Sequence, residues 1–597
     1  MPGPPPFVAL SLGREHGALC GVVDGSDVSV AGPVSEVVAA ALSLEGRVGP
    51  RWVWWSAASE AWPLVRAHVP IARCWDVAEV HRLRHGGWRA GPELAWAAVH
   101  DLDPRGVPAP PGDDLFDLLA DDDGLDPEAL VRPDGHLRAD AVVGRWQSTP
   151  QRAAQWAAAS LTVAERQRED IGSGSPSRSR ALATAISESA AALLCLELER
   201  DGLPIDRPVV EDLIARSAGV RPSDEAQALV IRRERDARVL AHAPGRPTTD
   251  LRNPAQVKEM LASAGVDVPN TRKWTLEAYR DTHPLVEALL TWRKDERIAT
   301  TYGYGWLDRH VGADDRLRGA WTACDGAAGR MTAQNGLHNL PADLRPAVAA
   351  QRGHVLVRAD LGQIEPRVLA AVTEDDEFAR ATQADDLYAP VAQRLGVERA
   401  VAKVAVLAAM YGQRSGAAGE ALKGLERAYP VAMAHLDRAY EEGRTGRPVR
   451  THGGRLVRTD FSVTPRPAEA EPSAPSPDAG PRTDSEAAAA RGRFARNAVI
   501  QGSAAELFKA WAATVRAGLR SLPRGDESTA GQAQPRAEIV LCLHDELLIH
   551  TPAEWAQDVV DLVRTALDDS ARRWTGSTRV RFVADVSVVD RWSEAKG

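Results

Sequence analysis

Residues 539–550, IVLCLHDELLIH, place His544, Asp545 and Glu546 between two arms that are otherwise apolar, a pattern that reads as a tight antiparallel hairpin with Asp545 at its tip. A second segment, VLVRADLGQIE, closes an apolar run from Val355 on Asp360, so this carboxylate sits where a buried strand leaves the core. Two such acids brought together would hold a pair of metal ions. Oxygen ligands of this kind suit Mg²⁺, which keeps waters and substrate phosphates in its octahedron instead of a full protein cage. Either acid alone is better explained as an ordinary strand-end aspartate.

A third segment gives the pair meaning. In RAVAKVAVLAAMYG, Arg399, Lys403, Leu407 and Tyr411 recur every four residues, and each step of four turns a helix by about 40° beyond a full turn, so the four form one slowly drifting stripe. Two cations followed by a flat aromatic suit a ligand with a polyphosphate tail and a ring. The competing reading is a solvated charge pair on an amphipathic helix. Lysine is scarce, with seven in the chain (258, 273, 294, 403, 423, 509 and 596), which favours a specific use for Lys403.

With these segments in order, the chain resembles the family A DNA polymerases of the bacterial DNA polymerase I type. DLGQIEPR resembles the family's first palm motif, Asp-Tyr-Ser-Gln-Ile-Glu-Leu-Arg; residues 399–412 resemble its fingers motif; LHDEL resembles its Val-His-Asp-Glu motif. Upstream, GRMTAQNGLHNLP at 329–341 is similar to the family's Gly-Arg-Leu-Ser…Gln-Asn-Ile-Pro block, one residue shorter, and RNAVIQGSAAELFK at 496–509 is similar to its Asn-x3-Gln-Gly-Thr-Ala-Ala-Asp segment.

The resemblance implies an α+β right-hand polymerase fold of palm, fingers and thumb, preceded by an α/β, ribonuclease H-like 3′→5′ exonuclease-like module. It implies that Asp360 and Asp545 hold two Mg²⁺ ions, with Mn²⁺ as the alternative, that Glu546 assists them, and that His544 steadies the primer end. Arg399 and Lys403 would bind the incoming deoxynucleoside triphosphate, with Leu407, Tyr411 and Gln363 lining its site. Glu365 would pack with Tyr411 beneath the sugar, where a 2′-hydroxyl would collide. Arg330, Asn339, Arg493, Asn497 and Gln501 would contact primer-template DNA, the last three from one helix face toward minor-groove acceptors that every correct pair presents.

Departures from the family pattern are Leu361-Gly362 for Tyr-Ser, Pro366 for Leu, Leu407 for the aromatic within the fingers helix and Ala408 for glycine. None replaces an expected metal ligand. An aliphatic Leu407 cannot stack as a ring or hydrogen-bond as a phenol, so strong discrimination against dideoxynucleotides is expected.

At 597 residues and 44% hydrophobic, the chain has room for several cores. A net charge of −10 leaves nucleic-acid binding to a local basic surface, if one exists. Five scattered cysteines without a CxxC suggest neither a disulfide framework nor a zinc site. The N-terminus lacks a basic, long-apolar leader and no run approaches about 18 apolar residues, so a cytoplasmic protein without a membrane partner is expected.

Residues 1–180 are expected to form the exonuclease-like module, with SGSPSRSR at 173–180 as a linker, and 181–597 the polymerase domain, with a thumb over about 181–315 and palm and fingers over about 316–597. Residues 462–490, rich in Pro, Ala and Glu, are expected to be a disordered insert, and 521–536 a shorter flexible loop.

Proofreading needs an Asp-x-Glu on the first strand, and none occurs between Phe7 and Val30; in WAAASLTVAERQ, Trp156 and Ser160 stand for the family's tyrosine and aspartate. The module is therefore expected to be inactive, although Asp24, Asp27, Asp76 and Asp101 leave a rearranged site conceivable. The function expected is template-directed addition of deoxynucleotides to a primer 3′-hydroxyl, in DNA repair or replication. The alternatives are a catalytically weak DNA-binding paralogue and an enzyme retaining 3′→5′ exonuclease activity.

Overall fold

The computed structural model describes residues 4–108, 126–172, 175–334, 336–337, 339–412, 419–460, 484–522 and 536–595. They divide into two units. Met1–Asp201, Ala320–Thr332 and Val357–Val588 form the first; Gly202–Gly319, Ala333–Leu356 and Val589–Gly597 form the second.

The first unit begins with an α/β module. Strands β1 (Phe7–Leu12), β2 (His16–Val23) and β3 (Ser26–Pro33) form an antiparallel meander, and β4 (Arg51–Trp54) and β5 (Arg73–Asp76) add in parallel beyond β1, giving the order β3-β2-β1-β4-β5. Helix α1 (Val34–Arg47) makes the crossover into β4. The parallel strands are covered on both faces, which is why Trp52, Trp54 and Trp75 can be almost wholly buried on strands of four residues. This mixed sheet matches the expected ribonuclease H-like module.

Asp76 ends β5 and caps α2 (Val77–His85), accepting from Glu79 N–H at 3.0 Å, Ala57 N–H at 2.6 Å and the Trp54 indole at 3.2 Å. With three donors on its two oxygens, it is a structural acid. Helices α3 (Pro150–Ile171) and α4 (Pro176–Asp201) close the module, α3 starting at Thr149, whose hydroxyl accepts from Arg152 N–H.

Helix α4 corrects one expectation. It begins at Pro176, inside the segment read as a linker, because proline is well accommodated in a first turn and the alanine-rich stretch that follows propagates the helix. By length and mean hydropathy it could cross a membrane, but its apolar stretch is interrupted by Glu188 and Glu197 and 67% of the window is buried inside the protein, as in a core helix. Ala185 on α4 belongs to the core of the N-terminal module, while Glu188 on the same helix pairs with Lys509, so α4 serves both parts of the first unit.

The remainder of the first unit carries β6 (His354–Leu361), α5 (Ile364–Thr373), α6 (Arg399–Tyr411), α7 (Pro430–Arg444), α8 (Asp484–Leu519), β7 (Glu538–Leu543), β8 (Glu546–Pro552), α9 (Ala556–Thr575) and β9 (Ala584–Val589). The sheet order is β7-β8-β6-β9. Helix α6 stops at Gly412, whose φ of 70° is a left-handed cap that glycine adopts without strain. Helices α7 and α8 approach closely at Gly492, where a Cβ would lie 2.7 Å from the Tyr440 ring. Residues 484–490, expected in the disordered insert, form the first two turns of α8, where an alanine run has high helix propensity; 462–483 and 523–535 lie outside the described residues.

The second unit is mainly helical, with helices at Arg207–Ala218, Glu225–Leu240, Pro254–Ser263 and Pro284–Thr301 around a core of Val257, Leu261, Leu285, Val286 and Leu289. It contains most of the expected thumb and adds 333–356 and 589–597, which the sequence reading gave to palm and fingers. Within this unit the segment at 202–206 is tied to the one at 589–597: Arg591 pairs with Asp206 at 2.7 Å.

Because Asp76 satisfies three buried donors, Asp76→Ala is expected to destabilise the module by about 1–3 kcal/mol, read as a lower urea unfolding midpoint. Loss of a primer-degrading activity with the midpoint unchanged would instead make it catalytic.

Candidate active site

The two strand-end acids meet through the backbone. Strand β8 lies beside β6, and Leu361 N–H donates to the Asp545 carbonyl at 2.9 Å, fixing the hairpin tip against the end of the strand that carries Asp360. The hairpin pairs Leu543 with Glu546 across a two-residue turn, in which His544 has φ 54° and is exposed. An irregularity between Ile539 and Leu541 bends β7 just before that turn. Asp360, Asp545, Glu546 and His544 are therefore neighbours, as expected.

Two further groups belong to this cluster and were not singled out from the sequence. Arg358 donates from Nη2 to Asp360 Oδ2 at 2.8 Å and pairs through Nε with Glu546 Oε1 at 3.2 Å, while its Nη1 lies 3.7 Å from Asp585 Oδ2. Their signal was available: Arg358 and Asp360 are two apart on a strand and share a face. Burial pushes the Asp360 carboxyl up, Arg358 opposes this, and Glu546 and Asp585 add to it.

Among the described residues no group of three or more His, Cys, Asp or Glu is arranged to hold a metal by itself. Two aspartates at adjoining strand ends suit a hard cation that completes its shell with substrate phosphates. Asp360 and Asp545 therefore fit Mg²⁺ delivered with a triphosphate better than a permanently caged ion.

Helix α6 spans the expected fingers segment, and its stripe is the less buried face: Arg399, Lys403 and Tyr411 are exposed and Leu407 is half-buried, whereas Ala402, Ala405, Val406 and Ala409 face the core. Arg399 is not idle. Its Nε and Nη2 donate to Asp386 at 2.5 and 3.2 Å. Hydrogen bonds from Arg399 and Gln363 outweigh the effect of burial on Asp386 and hold its carboxyl below the usual range.

Gln363, expected to line the nucleotide site, is engaged elsewhere: its amide donates to Asp386 at 2.8 Å and accepts from Leu387 N–H at 2.8 Å. It stands in the left-handed region (φ 56°) at the start of α5, and its side chain ties that turn to the loop before Tyr388. Arg367, in the same motif, is fully buried and gives its five N–H groups to the carbonyls of Gly362, Thr382, Ala384, Asp385 and Arg581. Burial pulls its pKa down to about 10.

The expected Glu365–Tyr411 pair is present. Tyr411 Oη donates to Glu365 Oε2 at 3.3 Å, and Arg330 Nη2 donates to Glu365 Oε1 at 3.2 Å. Burial raises the Glu365 carboxyl, with Arg330 opposing; burial likewise lifts Tyr411 to about 12, where a hydrogen bond with Gln501 acts in the opposite sense. Arg493, Asn497 and Gln501 form the less buried stripe of α8, and the Asn497 carbonyl oxygen lacks a hydrogen-bond partner. Asn339 lies in the second unit, where its exposed side chain leaves the backbone carbonyl to accept from Tyr302 Oη at 2.7 Å.

The N-terminal module holds a cavity of about 820 Å³, lined by Ser11, Gly13, Ser56, Glu60, Trp55 and Trp156 among others. Glu60 is its most buried acid. Both oxygens accept, from Trp55 N–H at 2.9 Å and the Trp156 indole at 3.1 Å, and burial pushes the carboxyl up to about 8. With both oxygens taken up by N–H donors, Glu60 ties together the backbone of Trp55 and the indole of Trp156. Ser160 is fully buried and donates to the Ala157 carbonyl, while Asp24 and Asp27 lie at the β2–β3 turn and Asp101 at another turn, so these acids do not assemble a second centre with Asp76.

The model of DNA polymerase family A matches residues 241–594, more than half of the chain. The thermostable DNA polymerase I of Thermus filiformis is 28% identical over 356 residues, covering 55% of this chain and 38% of that protein. The DNA polymerase I of Chloroflexus aurantiacus is 28% identical over 326 residues, 50% of this chain and 31% of that protein. The chain therefore spans about a third of the length of these relatives. A solved structure, the POL domain of Pol1 from M. smegmatis in complex with DNA primer-template and dNTP, aligns with a TM-score of 0.65 at 19% identity over 99% of this chain and 96% of that one, a likeness of fold. On the match of that model to more than half of the chain, a span that includes the segments of the acid cluster and the fingers stripe, the chain belongs to DNA polymerase family A.

Proposed function

We propose that the chain is a template-directed DNA polymerase that adds deoxynucleotides to a primer 3′-hydroxyl, working in repair or replication in the cytoplasm and without proofreading. The observation that carries the proposal is the hydrogen bond that sets Asp545 against the end of the Asp360 strand, in the unit that also presents the Arg399–Tyr411 stripe. Retained acids and cations favour synthesis over a DNA-binding paralogue. The relatives named DNA polymerase I, and the fold neighbour bound to primer-template and dNTP, support both substrates.

Asp360 and Asp545 stand at adjoining strand ends, where the 3′-hydroxyl and the α-phosphate would be brought together. Bound there with the triphosphate, two Mg²⁺ ions, or Mn²⁺ in their place, would supply a lowered pKa for the hydroxyl and charge neutralisation for departing pyrophosphate. Arg399 would exchange its solvent-exposed carboxylate partner, Asp386, for phosphate oxygens, an exchange eased by the screening of an exposed ion pair. Lys403 adds a mobile point charge one turn on. Arg330 and Glu365 hold the Tyr411 ring as the floor beneath the sugar, and Arg493, Asn497 and Gln501 offer polar groups to base-pair edges in the minor groove. The five free cysteines accord with a reducing compartment.

Primer extension tests this directly. Asp545→Ala is expected to reduce Mg²⁺-dependent extension by at least about 10²–10³-fold, and undiminished extension would refute the proposal. Glu365→Ala should raise ribonucleotide incorporation roughly 10–100-fold by opening the floor under the sugar, scored as alkali-labile product. Leu407→Tyr should relax discrimination against dideoxynucleotides by a similar factor of roughly 10–100, visible as earlier chain termination at a fixed dideoxy:deoxy ratio.

A further inference from the structure

A buried arginine between metal-binding carboxylates needs a reason. Arg358 stands two residues before Asp360 on β6 and therefore on the same face, and β6 is the strand between β8, which begins at Glu546, and β9, which carries Asp585. One guanidinium thus meets acids from three adjacent strands: Asp360 Oδ2 at 2.8 Å, Glu546 Oε1 and Oε2 at 3.2 and 3.4 Å, and Asp585 Oδ2 at 3.7 Å. Its side chain is 7% exposed, against 14% for Glu546, 37% for Asp360 and 66% for Asp585, so the cation is the most buried member of the cluster and Asp360 and Asp585 lie toward solvent. The Asp360 oxygen not bonded to Arg358 is Oδ1.

We propose that Arg358 is a positioning residue, a built-in counter-cation that holds Asp360 and Glu546 in place in the free protein and keeps its affinity for divalent ions low until a triphosphate arrives. The inference rests on the reading of Asp360 and Asp545 as the polymerase acids. The physical argument is competition. A fixed positive charge within hydrogen-bond reach of Asp360 repels an incoming divalent cation, and by engaging Glu546 through two donors it withdraws that acid from the metal's reach. Two carboxylates then remain, too few to retain Mg²⁺ alone, and phosphate oxygens complete the shell. Without Arg358, three acids on neighbouring strands would repel one another until a metal ion bound.

The test is a Mn²⁺ titration of the full chain without nucleotide or DNA, followed by electron paramagnetic resonance of free Mn²⁺, with thermal melting in parallel. Arg358→Met is expected to bind Mn²⁺ about 10-fold more tightly than wild type or better, to melt lower without metal, and to regain stability when Mn²⁺ is added. Arg358→Gln, which keeps hydrogen-bonding capacity without charge, carries the same expectation should the methionine variant fail to fold. Arg358→Lys, which keeps the charge, should stay within about threefold of wild type. Wild-type or weaker Mn²⁺ affinity in the methionine and glutamine variants overturns the proposal. Adding Asp545→Ala to Arg358→Met should abolish the gain in affinity. A gain that survives this change would mean that the ion sits elsewhere, and the reading of the acids would fail instead of the role of Arg358.

Discussion

The pairing of the hairpin strand Glu546–Pro552 with the strand His354–Leu361 is the constraint on which the site depends. Asp360 and Asp545 are 185 positions apart in the chain, and the bond from Leu361 N–H to the Asp545 carbonyl is what makes them neighbours. Strand register is quantised in steps that turn side chains to opposite faces, so a slip by one residue would turn an acid away from the cluster. The apolar arms of the hairpin enforce the register, since Leu547, Leu548 and Ile549 are fully buried.

Buried charge holds the surroundings of that sheet. Glu188, on the long helix Pro176–Asp201, is wholly buried with Lys509 from the helix Asp484–Leu519 and with Arg455, which reaches it at 2.7 Å. Burial alone would raise the Glu188 carboxyl; its two cations outweigh that and hold it below the usual range. Removing one partner from such a cluster leaves an uncompensated buried charge, which is more damaging than the net stabilisation of the pair would suggest. Arg367 achieves the same end with neutral partners, five carbonyls for five donors, and so pins the turn after Asp360 to the segments at 382–385 and 581.

Local patterns were the readable part. The four-residue spacing from Arg399 to Tyr411 gave a helix of those same bounds with the stripe outward, because amphipathic periodicity is enforced by burial of the opposite face. Residues whose roles depend on a distant partner were harder. Lysine scarcity drew attention to Lys403, but it applies equally to Lys509, which is a buried structural cation; scarcity carries no information about burial. Gln363 lies within a motif and yet serves the turn, because Asp386 happens to lie within reach. The serine-rich stretch before Ala181 looks like a linker in composition and is largely helical: residues 177–179 stay exposed, and the alanine-rich run that follows extends the helix back through them.

Sequence alone determined the polymerase class, the helix that carries the cationic stripe, the hairpin that carries Asp545, and the absence of the expected proofreading acids from β1. All of these are encoded in runs of a dozen residues or fewer, where periodicity and turn chemistry act locally. Tertiary structure decided which segments share a unit, that Arg358 and Asp585 join the acid cluster, that Asp386 holds Arg399, and that Glu60 and Asp76 are satisfied by indole and backbone N–H groups. Those outcomes depend on which strands are hydrogen-bonded and which side chains lose water together, and no local pattern specifies the partner.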